Sequence, residues 1–225
     1  MEIGLGIDAR LVLSGTEQAD IAAEAAALGY TSLWTPNRDN DPFDLCARWH
    51  DASGLQTGIS VLPIQGWSAE RLVAGARAAN ERTGGQFILG VGSGSEREAP
   101  IRKMRDLESA LRPSLGDGPM YLGALGPQML RLAGERYDGA ALNWCSPEQT
   151  RWSRERVAAG ALDAGRDPSD VRIHQYIRVC IDQDVAAARR SLAKMVLSYA
   201  LNRPGSDKTK GYRGHFARMG FDGAL

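Results

Sequence analysis

The stretch Gly84-Gly85-Gln86-Phe87-Ile88-Leu89-Gly90-Val91-Gly92-Ser93-Gly94-Ser95 decides the fold. Its centre, Phe87–Gly92, is short and lacks polar residues, with glycines on both sides. A run of that length, apolar without alternation, fits a parallel strand covered on both faces by helices. Upstream, a helical pattern starts at Ser68, places Leu72, Val73, Ala76 and Ala79 on one face and stops at Gly84-Gly85. Downstream, Ile101, Met104, Leu107 and Leu111 lie on one stripe at helical spacing. The same alternation continues in both directions. Strand-like runs occur at Ile3–Ile7, Ser32–Thr35, Thr57–Leu62, Met120–Ala124, Ala140–Trp144 and Arg172–Ile181. Helices are expected at Thr16–Leu28, with Thr16 as cap and Gly29 as stop, and behind Gly126-Pro127, with Met129, Leu130 and Ala133 inward. Another follows Ser146-Pro147-Glu148-Gln149, a capping-box pattern. The last runs from about Asp184 to Leu201, with Val185, Ala188, Leu192 and Tyr199 inward. Strand starts recur about every 20–33 residues, the length of one βα unit. Seven such units in a row predict an α/β fold of the TIM-like (β/α) barrel type, incomplete by one unit, over a single domain of residues 1–225. Residues 202–225 read as a polar C-terminal tail.

Composition narrows the function. The 225 residues carry 27 Lys+Arg against 27 Asp+Glu, so no net charge draws the chain to a phosphate backbone or an anionic membrane surface. No apolar run reaches the ~18 residues of a membrane span, and Met1-Glu2-Ile3-Gly4 leads straight into a strand without a signal-peptide pattern. Cys46, Cys145 and Cys180 are far apart and odd in number, and the three histidines are scattered. Neither a disulfide framework nor a metal site is expected, and a cytoplasmic setting is the simplest.

In such a barrel the loops after the strands build the site. In order they are Asp8-Ala9-Arg10, Pro36-Asn37-Arg38-Asp39, Leu62-Pro63-Ile64-Gln65-Gly66-Trp67, Gly92-Ser93-Gly94-Ser95, Leu125-Gly126-Pro127 and Asn143-Trp144-Cys145-Ser146. The glycines at 90, 92 and 94 fail the dinucleotide pattern because Ser95 stands where a glycine is needed. No Gly-Lys-Ser/Thr follows, which excludes a P-loop. No paired carboxylates stand at strand ends, and no nucleophile elbow is in frame. Gly126-Pro127 opens a helix whose free N–H groups suit a phosphate or carboxylate. A small, neutral, glycine-rich rim suits a cofactor that brings its own reactivity.

The segments Leu28–Trp34, Thr57–Ile64, Gly84–Gly92, Tyr121–Leu130, Asp138–Trp144 and Tyr176–Cys180 together resemble the bacterial luciferase-like superfamily, most closely its branch of coenzyme F420-dependent oxidoreductases. The resemblance covers nearly all of the chain to about Leu201. It implies a flavin-type cofactor at the C-terminal rim: F420 with hydride transfer to or from a small-molecule substrate, or FMN with monooxygenation. It also implies a homodimer. It places a non-proline cis peptide at Ser60-Val61 and cofactor contacts at Ser60, Val61, Leu62, Gly92, Ser93, Gly94, Ala124, Leu125, Gly126, Asn143 and Trp144. Asn37 and Arg38 would face the substrate, with Arg38 pairing a carboxylate. Relatives that oxidise alcohols place a His after strand 2 and a Glu after strand 4. Arg38 and Ser95 stand there in this chain, which favours reduction of a double bond, or binding without turnover. Set against the family pattern, one βα unit is not visible, and the open seam calls for cover by the tail or a partner.

Overall fold

The computed structural model describes residues 2–7, 11–36, 41–201 and 209–221. Strands β1 (Gly4–Gly6), β2 (Ser32–Thr35), β3 (Gln56–Ile59), β4 (Leu62–Pro63), β5 (Phe87–Gly92), β6 (Met120–Gly123), β7 (Gly139–Asn143) and β8 (Arg172–Tyr176) alternate with helices. The helices are α1 (Gly15–Ala27), α2 (Pro42–Ser53), α3 (Ala69–Arg82), α4 (Pro100–Leu115), α5 (Pro127–Arg136), α6 (Pro147–Asp163), α7 (Val185–Ala200) and α8 (Thr209–Arg218). Every strand pair is parallel, in the order β1-β2-β3-β5-β6-β7-β8, with β4 on β5. The third expected strand is therefore split: β3 and β4 are its halves, and the break holds a cis peptide at Ser60–Val61. The sheet is a barrel nearly closed on itself.

Alternation along each strand builds two layers. On β5, Phe87, Leu89 and Val91 face outward into the core shared with the helices, where Leu72, Ala76, Met104, Leu111, Leu130 and Val157 also lie. Burying such side chains contributes roughly 1.5–3 kcal/mol each. Ile88 faces inward with Trp34 and Tyr121, and His174 and Tyr176 complete the lumen. The rings of Trp34 and His174 lie 4.0 Å apart. Trp34 spreads over Gly58, where a Cβ would be 2.8 Å from the indole Cε3, and its Nε1 donates to Ser32 Oγ at 2.8 Å. No β1–β8 ladder forms among the described residues. Side chains cross that seam instead: Tyr176 occupies the space left by Gly6, and Arg172 Nη1 lies 3.2 Å from Glu2 Oε1.

At the N-terminal end of the strands, buried Glu108 accepts from Arg112 Nε (3.1 Å) and Arg136 Nε (2.8 Å). Asp138 accepts from Arg112 Nη1 and from the Met120 amide. A charged cleft lined by these groups, Glu135 and Arg166 lies there, opposite the rim. Its ion pairs lock α4 to α5.

Local details differ from the sequence reading. The cap of α1 is Ser14, not Thr16: Glu17 N donates to Ser14 Oγ while the Glu17 carboxylate accepts from Ser14 N, a reciprocal box that fixes the start two residues earlier. Helix α2 is unforeseen, although Asp41 accepts from the Phe43 and Asp44 amides, Pro42 sits in the first turn and Gly54 ends it in the left-handed region. Strand β8 stops at Tyr176 rather than Ile181, and Ile177, Val179 and Ile181 are exposed. Helix α7 buries no residue, and Val185 is exposed rather than inward. Helix α8 lies inside the segment read as a polar tail. None of the described helices is long and apolar enough to cross a membrane.

Candidate functional site at the barrel rim

The register brings the strand ends together. Ser60 N donates to Thr35 O, Pro63 pairs with Gly92, Gly92 with Gly123, Gly123 with Ala141, and Asn143 with Tyr176. One arc of the mouth thus holds Ser60, Val61, Leu62, Gly92, Ser93, Gly94, Ala124, Leu125, Gly126, Asn143 and Trp144. These strand ends carry the eleven residues singled out from the sequence, but the Leu62 and Ala124 side chains are buried in the core shared with the helices. Asn37 and Arg38, the candidates for the substrate side, lie outside the described residues, as does Asp8-Ala9-Arg10.

After the cis peptide the Val61 side chain turns over β5 and β6. A Cβ at Gly92 or Gly123 would stand 2.9 Å from Val61 Cγ2, and one at Gly90 would land on the Ile59 carbonyl oxygen. Those close approaches require glycine. They leave a floor of bare backbone and one valine, with no projecting polar group. Gly126 opens onto free space, since a Cβ there would meet no atom within 4 Å. It caps α5 without any side-chain hydrogen bond, so the first amides of that helix have no capping side chain. Gly94 has φ +56°, and the loop around it is held by Gln65, whose Nε2 donates to Ser93 O (3.0 Å) and whose Oε1 accepts from Ser95 N (3.3 Å).

The β7 end is the polar side. Trp144 has φ +55°, a left-handed conformation costly for a side chain of that size. Its buried Nε1 has no hydrogen-bond partner among the described residues, an unusual state for an indole N–H. Arg178 lies over the Tyr176 ring at 4.5 Å and the Trp144 ring at 5.9 Å, and Arg178 Nη2 reaches Asn143 Oδ1 at 3.4 Å. Sequence reasoning missed Arg178 because the strand was extended past it. Ser146 caps α6 as expected, accepting from Gln149 N at 3.1 Å, but the box is only half made: Ser146 N donates to Met219 Sδ (3.4 Å).

Acid–base groups are sparse on this rim. Burial lowers His174 to about 4, so it is neutral one layer below the mouth. Cys145 is pushed up to about 11 by burial and remains a thiol. Ser95 is exposed. Glu96 accepts from Lys103 Nζ at 2.7 Å, and that bond, with amide donors from Glu98 and Arg97, holds its carboxyl below the usual range.

A family model described as luciferase-like monooxygenase matches residues 96–222, more than half of the chain. The chain belongs to the luciferase-like monooxygenase family. Among curated relatives of the family, a 5,10-methylenetetrahydromethanopterin reductase from Methanolobus tindarius is 29% identical over 216 residues, covering 80% of this chain and 66% of that one. The chain spans less than two thirds of the length of the first reductases it matches. Solved structures that share the fold include the following two. An F420-dependent secondary alcohol dehydrogenase in complex with an F420–acetone adduct gives a TM-score of 0.77 at 14% identity, over 94% of this chain and 81% of that one. The coenzyme F420-dependent tetrahydromethanopterin reductase from Methanopyrus kandleri gives 0.71 at 17%, over 88% and 71%.

Proposed function

We propose that this chain is an F420-dependent oxidoreductase that holds the deazaflavin on its C-terminal rim. One observation carries the reading: the Gly90–Gly92–Gly123 floor, covered by the single side chain of Val61 and bordered by an uncapped helix start. The residues present fit the group. Val61 and the adjoining backbone would hold a flat heteroaromatic ring, and the uncapped amides behind Gly126 suit its anionic side chain. The F420-dependent relatives point the same way. When bound, F420 supplies the hydride.

The chain's own residues do the rest. Val61, Gly92 and Gly123 set the depth of the ring. Asn143, with a side chain that both donates and accepts, orients its polar edge. Ser93 and Gly94 bring backbone groups to its flank in a loop that Gln65 pins. Trp144 and Tyr176 wall the mouth and exclude water. Among the described rim residues Glu96 is engaged by Lys103, and burial weakens both imidazoles as bases, His174 below the mouth and His215 on α8. That chemistry favours a small acceptor whose carbon is already cationic, such as a protonated imine, which takes a hydride and no further proton, over oxidation of an alcohol, which needs a base.

Titration of the purified chain with F420 and with FMN, followed by tryptophan fluorescence, tests the reading. F420 is expected to bind and quench. Binding of FMN alone would replace this reading with a monooxygenase of the luciferase type, and binding of neither would overturn both.

A further inference from the structure

Helix α8 takes no part in that function, yet it sits on the groups assigned to the cofactor. Tyr212 Oη accepts from Asn143 Nδ2 at 2.8 Å. His215 is fully buried, with Nε2 2.9 Å from the Trp144 carbonyl oxygen. Arg218 Nη2 donates to Leu125 O at 2.7 Å, and Met219 Sδ accepts from Ser146 N. Phe216 is buried beneath, and the Tyr199 ring of α7 stands against both Tyr212 (4.8 Å) and Trp144 (5.9 Å). Leu125, Asn143 and Trp144 are three of the expected cofactor contacts, and Ser146 opens the next helix.

Two of these bonds have stronger alternatives. A thioether is a poor acceptor for a helix-start amide, and a carbonyl is a poorer partner for a guanidinium than an anion is. The His215 bond to a carbonyl requires the proton on Nε2, which leaves buried Nδ1 without a partner among the described residues. Cys145 Sγ, 3.9 Å from Nε2, adds no charge, being a thiol. An anionic ligand at the starts of α5 and α6 offers the Ser146 amide and Arg218 stronger acceptors than α8 offers them now.

We infer that α8 is an exchangeable strap, which occupies the Leu125–Ser146 side of the rim when the cofactor is absent and yields those groups when the anionic cofactor binds. The inference rests on the F420 reading above. A strapped form lowers apparent affinity by the fraction of molecules that are open.

The test compares the full chain with its Phe216→Ala variant, which loosens α8, and with Tyr212→Phe, which removes only the Asn143 bond. Circular dichroism and a melting curve establish that each variant keeps the barrel. F420 is expected to bind Phe216→Ala several-fold more tightly, about tenfold if a tenth of the wild-type molecules are open. Tyr212→Phe should fall between. In the wild type, hydrogen exchange across residues 209–221 should speed up when F420 is added. Equal or weaker binding by both variants, or slower exchange in α8 on addition of F420, would overturn the strap alone. Failure of F420 to bind even the wild type would overturn the cofactor reading and the strap with it.

Discussion

Single residues decide whether the rim exists. At Gly90 the nearest neighbour of an added Cβ is the Ile59 backbone oxygen, which has no rotamer to escape into. Gly90→Ala is therefore expected to cost about 3 kcal/mol or more, read as a lower urea midpoint. A midpoint within experimental error of wild type would mean that β3 and β5 are not packed so closely. His174 is the other residue whose environment sets a measurable property. An unfolded histidine takes up a proton near its model value of 6.5, whereas the folded one waits until about 4. Its depressed folded value gives stability that is fully present above 6.5 and is lost as pH falls through that window. By pH 4 the loss reaches about 3 kcal/mol from this group. His215 is shifted in the same direction by burial and adds to it. Unfolding free energies measured from pH 7 to 4 should decline less steeply in His174→Gln than in wild type. Parallel slopes would show that His174 does not carry this linkage.

Elements were legible where their signals were local. The α3 and α4 faces follow helical spacing, and Leu72, Ala76, Ala79, Met104 and Leu111 are all buried. The strands were found because short apolar runs between glycines leave few alternatives. Two helices were not found, for different reasons. Helix α2 carries a complete set of local signals, Asp41 as cap, Pro42 in the first turn and Gly54 at the end, so it is encoded locally. Helix α8 holds Gly211 and Gly214 within ten residues, a composition that disfavours helix, and it forms where His215 and Phe216 are buried and Tyr212 is half-buried against the rim. Helix α1 lies between these cases. Its Ser14–Glu17 box outcompetes Thr16, two residues further on, because only Ser14 has Glu17 three positions ahead. Replacing Ser14 with Ala should cost about 1 kcal/mol by chemical denaturation, and replacing Thr16 with Ala much less. Equal losses from both would place the cap elsewhere.

At the scale of the whole molecule, the barrel joins strands through parallel ladders from β1 to β8 and, among the described residues, meets itself across the seam by side chains. A ligand bridging several of these strand ends should tie them together. F420 at a hundred times its dissociation constant is expected to stabilise the chain by about 2.7 kcal/mol. In a chain of this length that raises the melting temperature by about 5–10 °C. A melting temperature indifferent to saturating F420 would count against a site spread over β3 to β7. The sequence by itself determined the order of the strand runs and the parallel sheet, and it pointed to the C-terminal rim as the place for a site, because apolar period, glycine stops and βα spacing are local quantities; the division of the third run into β3 and β4 it did not show. It also marked the residues of the rim. Only the tertiary structure decided that Val61 lies over three glycines of neighbouring strands, that Trp144 is held in a left-handed conformation and that α8 rests on the mouth. Those features depend on partners far along the chain: Asn143 with Tyr212 is a contact 69 residues apart, and Leu125 with Arg218 one of 93. No local pattern encodes such pairings, since each residue's preference is set by a neighbour that only folding supplies.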